Sequence, residues 1–176
     1  MDELTARLSE RMSSPLPGLS AQLKMASGLR RKAASSYKVD ESNAKISAVL
    51  IALYADNGVI RTVLMKRPDY DGTHSGQVSF PGGKLEETDN GIVEAALREA
   101  EEEVNIKPND EVESIHTPEL SYLFREDIID EIEILLTTGF KLKTPSFKVD
   151  GHTVWGATAM MIAELREVFE NISLER

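Results

Sequence analysis

Residues 91–104 read GIVEAALREAEEEV, and the apolar positions of this stretch recur at the spacing of an α-helix. The residue types just before it, Thr88-Asp89-Asn90, are typical of helix caps. At about 100° per residue, four apolar side chains fall within about 60° of one another on the helical wheel. They are Val93, Leu97, Ala100 and Val104. The pattern predicts a helix over 91–104 with one narrow buried face.

A second face of this helix is acidic. Its carboxylates occupy an arc of about 100°, roughly opposite the apolar stripe: Glu99, Glu102 and Glu103. Each close pair of like charges costs about 0.2–0.5 kcal/mol, and a helix C-terminus disfavours anions. A solvated acidic face tolerates these costs, whereas a bound Mg²⁺ or Mn²⁺ removes them, because hard divalent cations bind carboxylate oxygens. Helix geometry alone leaves both interpretations open, and Glu101 is predicted to face solvent.

The segment Pro81-Gly82-Gly83 lies ahead of the helix. Two glycines leave the backbone with little steric cover, so that it can approach a ligand or a metal closely. Backbone carbonyl groups are also ligands for hard cations. We therefore predict a loop in which the Gly83 carbonyl completes a coordination shell that the three glutamates begin.

The remaining elements predict an α/β domain of the layered α+β class. Residues 46–54 are interpreted as a largely buried strand, and Asp56-Asn57-Gly58 supplies the turn to a second strand over 59–66. Periodicity predicts the other elements: strands over 77–80 and 111–116, and helices over 2–12 and 157–171. Strands on either side of a helix, followed by a final helix, are typical of layered α/β domains.

The N-terminal region, residues 1–45, is interpreted as a helix and a less regular arm packed on a domain that covers residues 46–176. The arm carries a basic cluster: Arg30, Arg31, Lys32 and Lys38. A solvated loop is one explanation for such a cluster, and a phosphate-binding role, with Arg30 and Arg31 contacting substrate, is the other.

Composition limits the function classes. The 176 residues carry a net charge of −10, which argues against a general nucleic-acid binder because phosphate neutralisation needs clustered Lys and Arg. Cysteine is absent, which excludes disulfides and thiolate metal sites. No apolar run reaches the roughly 20 residues that span a bilayer, and the N-terminus shows no secretory signal. These features favour a cytoplasmic protein with neither a nucleic-acid nor a membrane partner.

The helix and the residues before it resemble the Nudix box, G-x5-E-x7-R-E-U-x-E-E-x-G-U, where U is aliphatic. Gly83 begins the match, and Arg98-Glu99 through Glu102-Glu103 reproduce its second half. Three departures occur: Asp89 stands for the first Glu, the gap to Arg98 is one residue longer, and Asn105 replaces the late Gly. Asn tolerates the left-handed conformation expected just past a helix end.

This resemblance implies a Nudix-like α/β/α sandwich with a mixed sheet and a pyrophosphohydrolase activity that depends on Mg²⁺ or Mn²⁺. Glu99, Glu102 and Glu103 would be metal ligands, one of them sharing the role of base, and Arg98 would orient them through charge-assisted hydrogen bonds. The partner would be a small nucleotide-like substrate, and a homodimer is left open.

A narrower similarity, to the coenzyme A pyrophosphatase branch, rests on three stretches: Lys66-Arg67, the run from His74 to Gly83, and the run from His152 to Ala159. It implies cleavage of coenzyme A or acyl-CoA to 4′-phosphopantetheine and adenosine 3′,5′-bisphosphate. Arg67 and His74 would contact substrate, although a structural imidazole explains His74 equally well. The alternatives are another nucleotide, such as a dinucleotide or a nucleotide sugar, and a catalytically silent Nudix domain that senses a nucleotide.

The similarity also predicts that a segment of tens of residues is missing near 117–121. Related proteins have strands there and an acidic loop that could supply another carboxylate, yet Thr117-Pro118-Glu119-Leu120 leaves no room for them. Either the protein lacks that part of the fold, or a mobile stretch is absent from the numbered chain. We favour the second explanation, because loops near metal sites are commonly mobile.

Overall fold

A computed structural model of the chain describes residues 2–34, 44–70, 75–104, 112–136 and 139–173. The chain divides into two compact units. The first comprises residues 1–36, 121–149 and 153–176, and the second comprises residues 37–120 and 150–152. Helices and strands occur in both units, which confirms the predicted mixed α/β class.

The helices within the described residues are α1 Asp2–Met12, α2 Leu19–Gln22, α3 Gly28–Ala34, α4 Ile92–Val104, α5 Leu120–Leu123 and α6 Gly156–Ser173. The strands are β1 Ser47–Val49, β2 Leu53–Asp56, β3 Val59–Thr62, β4 Leu64–Lys66, β5 Val78–Ser79, β6 Gly82–Lys84, β7 Ser114–His116, β8 Ile129–Leu135, β9 Lys141–Val149 and β10 His152–Trp155. Helices predicted over 2–12, 91–104 and 157–171 are therefore confirmed.

In the first unit, the N-terminal helices pack against α6. The Gln22 side chain and the Gly18 N–H both donate to the Glu164 carboxylate, at 2.7 and 2.8 Å. The described part of the arm, residues 13–34, was predicted to be less regular than a helix, and it contains α2 and α3. The contacts with Glu164 give α2 a half-buried partner that its own sequence does not reveal. No helix within the described ranges has the length and apolar character needed to cross a membrane.

In the second unit, the predicted strand over 46–54 is divided into β1 and β2. It was predicted to be largely buried, but none of its residues is fully buried. The predicted hairpin turn is confirmed between β2 and β3. Asn57 and Gly58 adopt φ of 49° and 82°, as a two-residue turn with left-handed residues requires. A second antiparallel group has the strand order β5-β4-β7.

The segment Pro81-Gly82-Gly83 was predicted to be a loop, but Gly82–Lys84 forms β6. It pairs with β1 in antiparallel register, with Ala48 opposite Gly83 and Val49 opposite Gly82. The N–H of Leu50 also donates to the Pro81 carbonyl at 2.8 Å. Backbone pairing with β1 therefore overrides the low strand propensity of glycine.

The predicted buried face of α4 was wrong. Val93 and Leu97 are 70% and 53% exposed, whereas Ala95, Ala96 and Glu103 are buried. Small alanines allow the helix to lie close against β1 and β6, and the Glu103 carboxylate finds partners there. Three residues of the apolar stripe instead line an open cavity of about 430 Å³: Leu97, Ala100 and Val104, together with Leu50, Ala52, Val63 and Pro81.

Residues 112–136 are continuous in the structure, and no strand lies between β7 and α5 in this fully described stretch. Pro118 accepts a hydrogen bond from the Thr62 N–H at 3.2 Å, and the chain then enters α5. The loss of a segment near 117–121 stays a prediction.

Candidate active site

The glycine pair of β6 allows the strand to lie very close to both β1 and α4. A Cβ built on Gly82 would lie 2.2 Å from the carbonyl oxygen of Ala48, and Gly82 has a φ of 149°. Only glycine adopts this backbone conformation readily at such a short distance. Gly82 therefore fixes the strand on which the candidate site is built.

Glu103 extends from the last turn of α4 towards this strand. Its side chain is 2% exposed, and its Oε2 accepts a 2.8 Å hydrogen bond from the Gly82 N–H. Its Oε1 accepts a hydrogen bond from the Arg67 guanidinium at 3.4 Å. A buried carboxylate requires such partners, since an uncompensated charge away from water is strongly unfavourable.

Glu99 lies one turn earlier on α4, beside Gly83. A Cβ on Gly83 would lie 2.3 Å from the Glu99 carboxylate carbon, so the missing side chain of Gly83 makes room for this carboxylate. Arg98 contacts the Glu99 Oε1 at 3.2 Å. Glu99 and Glu103 therefore meet adjacent glycines of the same short strand.

Arg98 is anchored by Asp89. Its Nε and one terminal nitrogen donate to the two Asp89 oxygens at 3.0 Å each, and that nitrogen also donates to the Lys84 carbonyl at 3.2 Å. The Asp89 side chain is 3% exposed. The other terminal nitrogen of Arg98 reaches Glu102 at 3.4 Å, in addition to Glu99. Arg98 thus contacts both the loop before α4 and the carboxylates on α4.

Asp89 was predicted to cap the helix, but its carboxylate has other partners. It accepts hydrogen bonds from Arg98 and from the N–H of Glu86, the latter at 2.9 Å. These hydrogen bonds, with that of Arg98 the larger cause, lower the pKa of the Asp89 carboxyl. The same pairing raises the pKa of Arg98 above its ordinary range. Asp89 therefore occupies the first acidic position of the Nudix-like motif as the partner of Arg98.

The lowered pKa of Asp89 predicts a pH dependence of stability. A carboxyl whose folded-state pKa lies below its unfolded value contributes stability above the unfolded pKa and loses it as the pH falls through the folded pKa. We expect Asp89→Asn to lower the denaturation midpoint clearly at neutral pH. The difference from wild type should shrink below about pH 4, where the unfolded carboxyl takes up its proton. Chemical denaturation at several pH values measures this. A difference that is independent of pH would contradict the ion pair as the cause.

The predicted metal ligands meet the chemical requirement for a hard divalent cation, since all three are carboxylates. Their arrangement is less complete than predicted. Across the part of the chain that the structure describes, no three His, Cys, Asp or Glu side chains form a group that could hold a metal ion. Glu99 and Glu103 lie at β6, whereas Glu102 is 62% exposed beside Arg98. Two cationic side chains contact these carboxylates: Arg67 contacts Glu103, and Arg98 contacts Glu99.

The predicted substrate-binding residues belong to different units of the chain or lie outside the described residues. Arg67 follows β4 and contacts Glu103, a role that the sequence did not reveal. His74 lies outside the described residues. Arg30 and Arg31 are exposed on α3, which belongs to the first unit, so their contact with substrate stays a prediction. The acidic partner of Arg98 could have been found from sequence, because Asp89 fills an acidic position of the motif.

Comparison with known proteins gives consistent matches. The NUDIX domain model matches residues 44–158. "Nudix hydrolase 15, mitochondrial" from Arabidopsis thaliana is 48% identical over 71 residues, which are 40% of this chain and 25% of that protein. An "Uncharacterized Nudix hydrolase NudL" from Escherichia fergusonii is 33% identical over 127 residues, 52% of this chain and 66% of that protein. The crystal structure of a MutT/nudix family protein from Enterococcus faecalis superposes with a TM-score of 0.46 at 10% identity, covering 81% of this chain and 68% of that one.

The matched parts are shorter than the relatives themselves, since the chain spans 25% of the first plant relative and 66% of the bacterial one. The match to the bacterial protein also covers more residues of that protein than of this chain. It extends over 127 residues, yet 52% of 176 residues is only about 92, so about 35 aligned positions have no counterpart in this chain. The match to the plant protein shows no such difference, because 40% of 176 residues is about 70 against 71 aligned. The bacterial relative therefore contains tens of residues within the matched region that this chain lacks.

Proposed function

Because the chain belongs to the Nudix family, whose domain model covers residues 44–158, we propose that it is a divalent-metal-dependent hydrolase of a pyrophosphate bond in a nucleoside-diphosphate derivative. The observation that carries the proposal is the arrangement of α4 on β6. Glu103 is held by the Gly82 N–H, Glu99 lies against Gly83, and Arg98 is locked by Asp89. These charged residues of the motif each have a defined structural partner.

The residues have separate tasks in this proposal. Glu99, Glu102 and Glu103 would hold Mg²⁺ or Mn²⁺, which when bound neutralises pyrophosphate oxygens and lowers the pKa of a coordinated water. Arg98 orients Glu99 and Glu102 and is itself fixed by two hydrogen bonds to Asp89. The Gly82 N–H fixes Glu103. Reaction at phosphorus then depends mainly on positioning and charge stabilisation.

A substrate panel tests this proposal. Coenzyme A, NADH, ADP-ribose and nucleoside triphosphates are each incubated with the protein and Mg²⁺ or Mn²⁺, and the products are separated by chromatography. Metal-dependent cleavage between the two phosphorus atoms of at least one diphosphate compound is expected, with no cleavage in EDTA. Absence of turnover for every compound, together with a nucleotide-dependent rise in thermal stability, would instead support the silent nucleotide-sensing domain. The incomplete metal group among the described residues is the observation that favours that alternative.

Coenzyme A or acyl-CoA is the substrate that we propose within this class, with 4′-phosphopantetheine and adenosine 3′,5′-bisphosphate as products. The support is the sequence similarity around Arg67 and the run from His74 to Gly83. In the panel, coenzyme A should give the highest kcat/KM. A higher value for NADH or ADP-ribose would favour the dinucleotide or nucleotide-sugar alternative. Cytoplasmic location and a homodimer also stay predictions.

The basic residues of α3 give a further prediction about this substrate. An acidic protein that binds a polyanion needs a local positive surface, and Arg30 and Arg31 are exposed. We expect Arg31→Ala to raise KM for coenzyme A about tenfold, the value of one charge-assisted hydrogen bond, and to leave KM for 3′-dephospho-coenzyme A nearly unchanged. Steady-state kinetics with both substrates measures the difference. Equal sensitivity of the two would count against a contact with the 3′-phosphate.

A further inference from the structure

A cavity of about 200 Å³ lies in the first unit, where α6 faces β9. Its apolar lining is provided by Met25, Ile129, Phe147 and Ala163, of which only Ile129 is exposed. Pockets that take drug-sized ligands have volumes of about 300–1,000 Å³, so this cavity fits a smaller molecule. All of its lining residues belong to the first unit, whereas the proposed active-site residues on α4 belong to the second.

Arg166 of α6 supplies a buried positive charge to this cavity. Its side chain is 10% exposed, and its guanidinium carbon lies over the Phe147 ring, 5.5 Å from the ring centre. One terminal nitrogen donates both to the Phe124 carbonyl, at 3.1 Å, and to the Glu126 carboxylate. No other hydrogen bond of the guanidinium is formed with the residues that the structure describes. Because a guanidinium has five N–H groups, most of them can still bind an acceptor.

Glu126 neutralises Arg166, but little else holds this carboxylate in place. Its side chain is 82% exposed and lies on the three-residue 3₁₀ turn Glu126–Ile128. Arg166 is its only side-chain partner within the described ranges. An exposed side chain loses conformational freedom when it is held in an ion pair, so such a pair contributes little to stability. Another carboxylate can therefore take the place of Glu126.

We propose that this cavity binds a small aromatic or short aliphatic carboxylic acid, whose carboxylate replaces Glu126 at Arg166. A guanidinium binds a carboxylate best through two parallel N–H···O hydrogen bonds, whereas Glu126 is reached through one nitrogen. The apolar part of the ligand would contact Phe147 and Ala163, and its burial there favours binding. This binding site goes beyond the proposed hydrolase activity and does not depend on it.

The other charged residues of the cavity favour a ligand with one negative charge. Lys24 and Glu167 form an ion pair, with 2.5 Å between Nζ and Oε1, so their charges largely offset each other. Glu170 is exposed and also lines the cavity. A phosphate dianion would bring a second negative charge close to Glu167 and Glu170, and like charges at short distance repel. The charge balance therefore predicts a carboxylate rather than a phosphate.

A fluorine NMR titration tests this proposal with 4-fluorobenzoate as the probe. We expect a Kd on the order of 1 mM, which is reasonable for a ligand of about ten non-hydrogen atoms. The neutral 4-fluorobenzamide has nearly the same shape and should bind about tenfold more weakly, because it lacks the charge-assisted hydrogen bonds. Phenyl phosphate should displace the probe less effectively than unlabelled benzoate does.

Two exposed carboxylates on adjacent residues provide a matched pair of variants. Glu126→Gln removes the competing charge, so the Kd of 4-fluorobenzoate should fall about fivefold, the upper range for an exposed ion pair. Asp127→Asn is the control. Asp127 pairs with Arg125 at 2.8 Å and does not line the cavity, so its loss should change the Kd less than twofold. Arg166→Met keeps the side-chain length without the charge and should raise the Kd about tenfold or more.

Several outcomes overturn the inference. They are the absence of probe binding, equal binding of the benzamide, stronger binding of phenyl phosphate than of benzoate, and a Kd in Glu126→Gln that is unchanged or higher. An equal fall in Glu126→Gln and Asp127→Asn also overturns it, since that result would reflect long-range charge alone. If Arg166→Met does not fold, the comparison of Glu126→Gln with Asp127→Asn still decides, because both replaced side chains are exposed.

Discussion

Glu103→Gln is expected to lower kcat by about a hundredfold or more, because even residues that only support a metal ligand typically cost 10- to 100-fold when replaced. The side chain is buried and its Oε2 accepts from the Gly82 N–H at 2.8 Å. Glutamine has nearly the same size and can keep that hydrogen bond through its amide oxygen, while it removes the charge that would bind the cation. Steady-state kinetics at saturating Mg²⁺, with thermal unfolding of the same samples, measures both consequences.

The adjacent glutamates on α4 provide matched controls for this prediction. Glu101 is exposed and does not share the face of Glu99, Glu102 and Glu103, so Glu101→Gln should retain near-wild-type turnover. Glu102→Gln should also lower kcat strongly, since Glu102 is a proposed ligand and a partner of Arg98. If Glu103→Gln or Glu102→Gln keeps wild-type kcat at saturating Mg²⁺, the assignment of that residue is wrong.

The predicted exposure of Glu101 is confirmed, whereas the burial of Glu103 was not predicted. The apolar residues of α4 did not predict which of its faces is buried. Periodicity selected Val93 and Leu97 for the core, yet both are exposed, and Ala95 and Ala96 lie in the interface. Burial here follows from the close approach of β6 and from the hydrogen bonds that satisfy Glu103. Both depend on residues that are distant in sequence.

Local chemistry explains which strands could be predicted. Asn57-Gly58 favours a left-handed backbone conformation between two short apolar runs. The β2–β3 hairpin can therefore be predicted from four or five adjacent residues. β6 has no such local indication, because glycine is depleted in strands. It forms only because β1 offers a partner for its backbone and because Gly82 fits where a side chain would collide with Ala48.

The Asp89–Arg98 pair lies between these two cases. The motif predicts an acidic and a basic residue at these positions. Because this chain has one extra residue between them, the sequence did not predict that they form a pair. The structure brings the two side chains together despite that residue, with two 3.0 Å hydrogen bonds. Sequence could therefore name the charged groups of the site, whereas their partners depend on how the loop from β6 to α4 is folded.

The two glycines of β6 should respond very differently to alanine. At Gly82 the added Cβ would lie 2.2 Å from the Ala48 carbonyl oxygen and 2.5 Å from the Val49 Cα, and the backbone has a φ of 149°. Backbone atoms of a paired strand cannot move aside without breaking the β1–β6 pairing. Gly82→Ala is therefore expected to destabilise the protein by about 3 kcal/mol, which corresponds to a fall in Tm of roughly 10 °C.

At Gly83 the added Cβ would meet the Glu99 carboxylate, at 2.3–2.4 Å, rather than backbone. The end of a flexible side chain can rotate away, so Gly83→Ala should change the free energy of unfolding by less than about 1 kcal/mol. The displaced Glu99 carboxylate would no longer lie beside Arg98 in its present position, and we expect kcat to fall about tenfold and Mn²⁺ binding to weaken in parallel. Chemical denaturation and kinetics on both variants test the contrast. A Gly83→Ala variant that is as unstable as Gly82→Ala, or one that is fully active, would show that Gly83 does not serve to admit the Glu99 carboxylate.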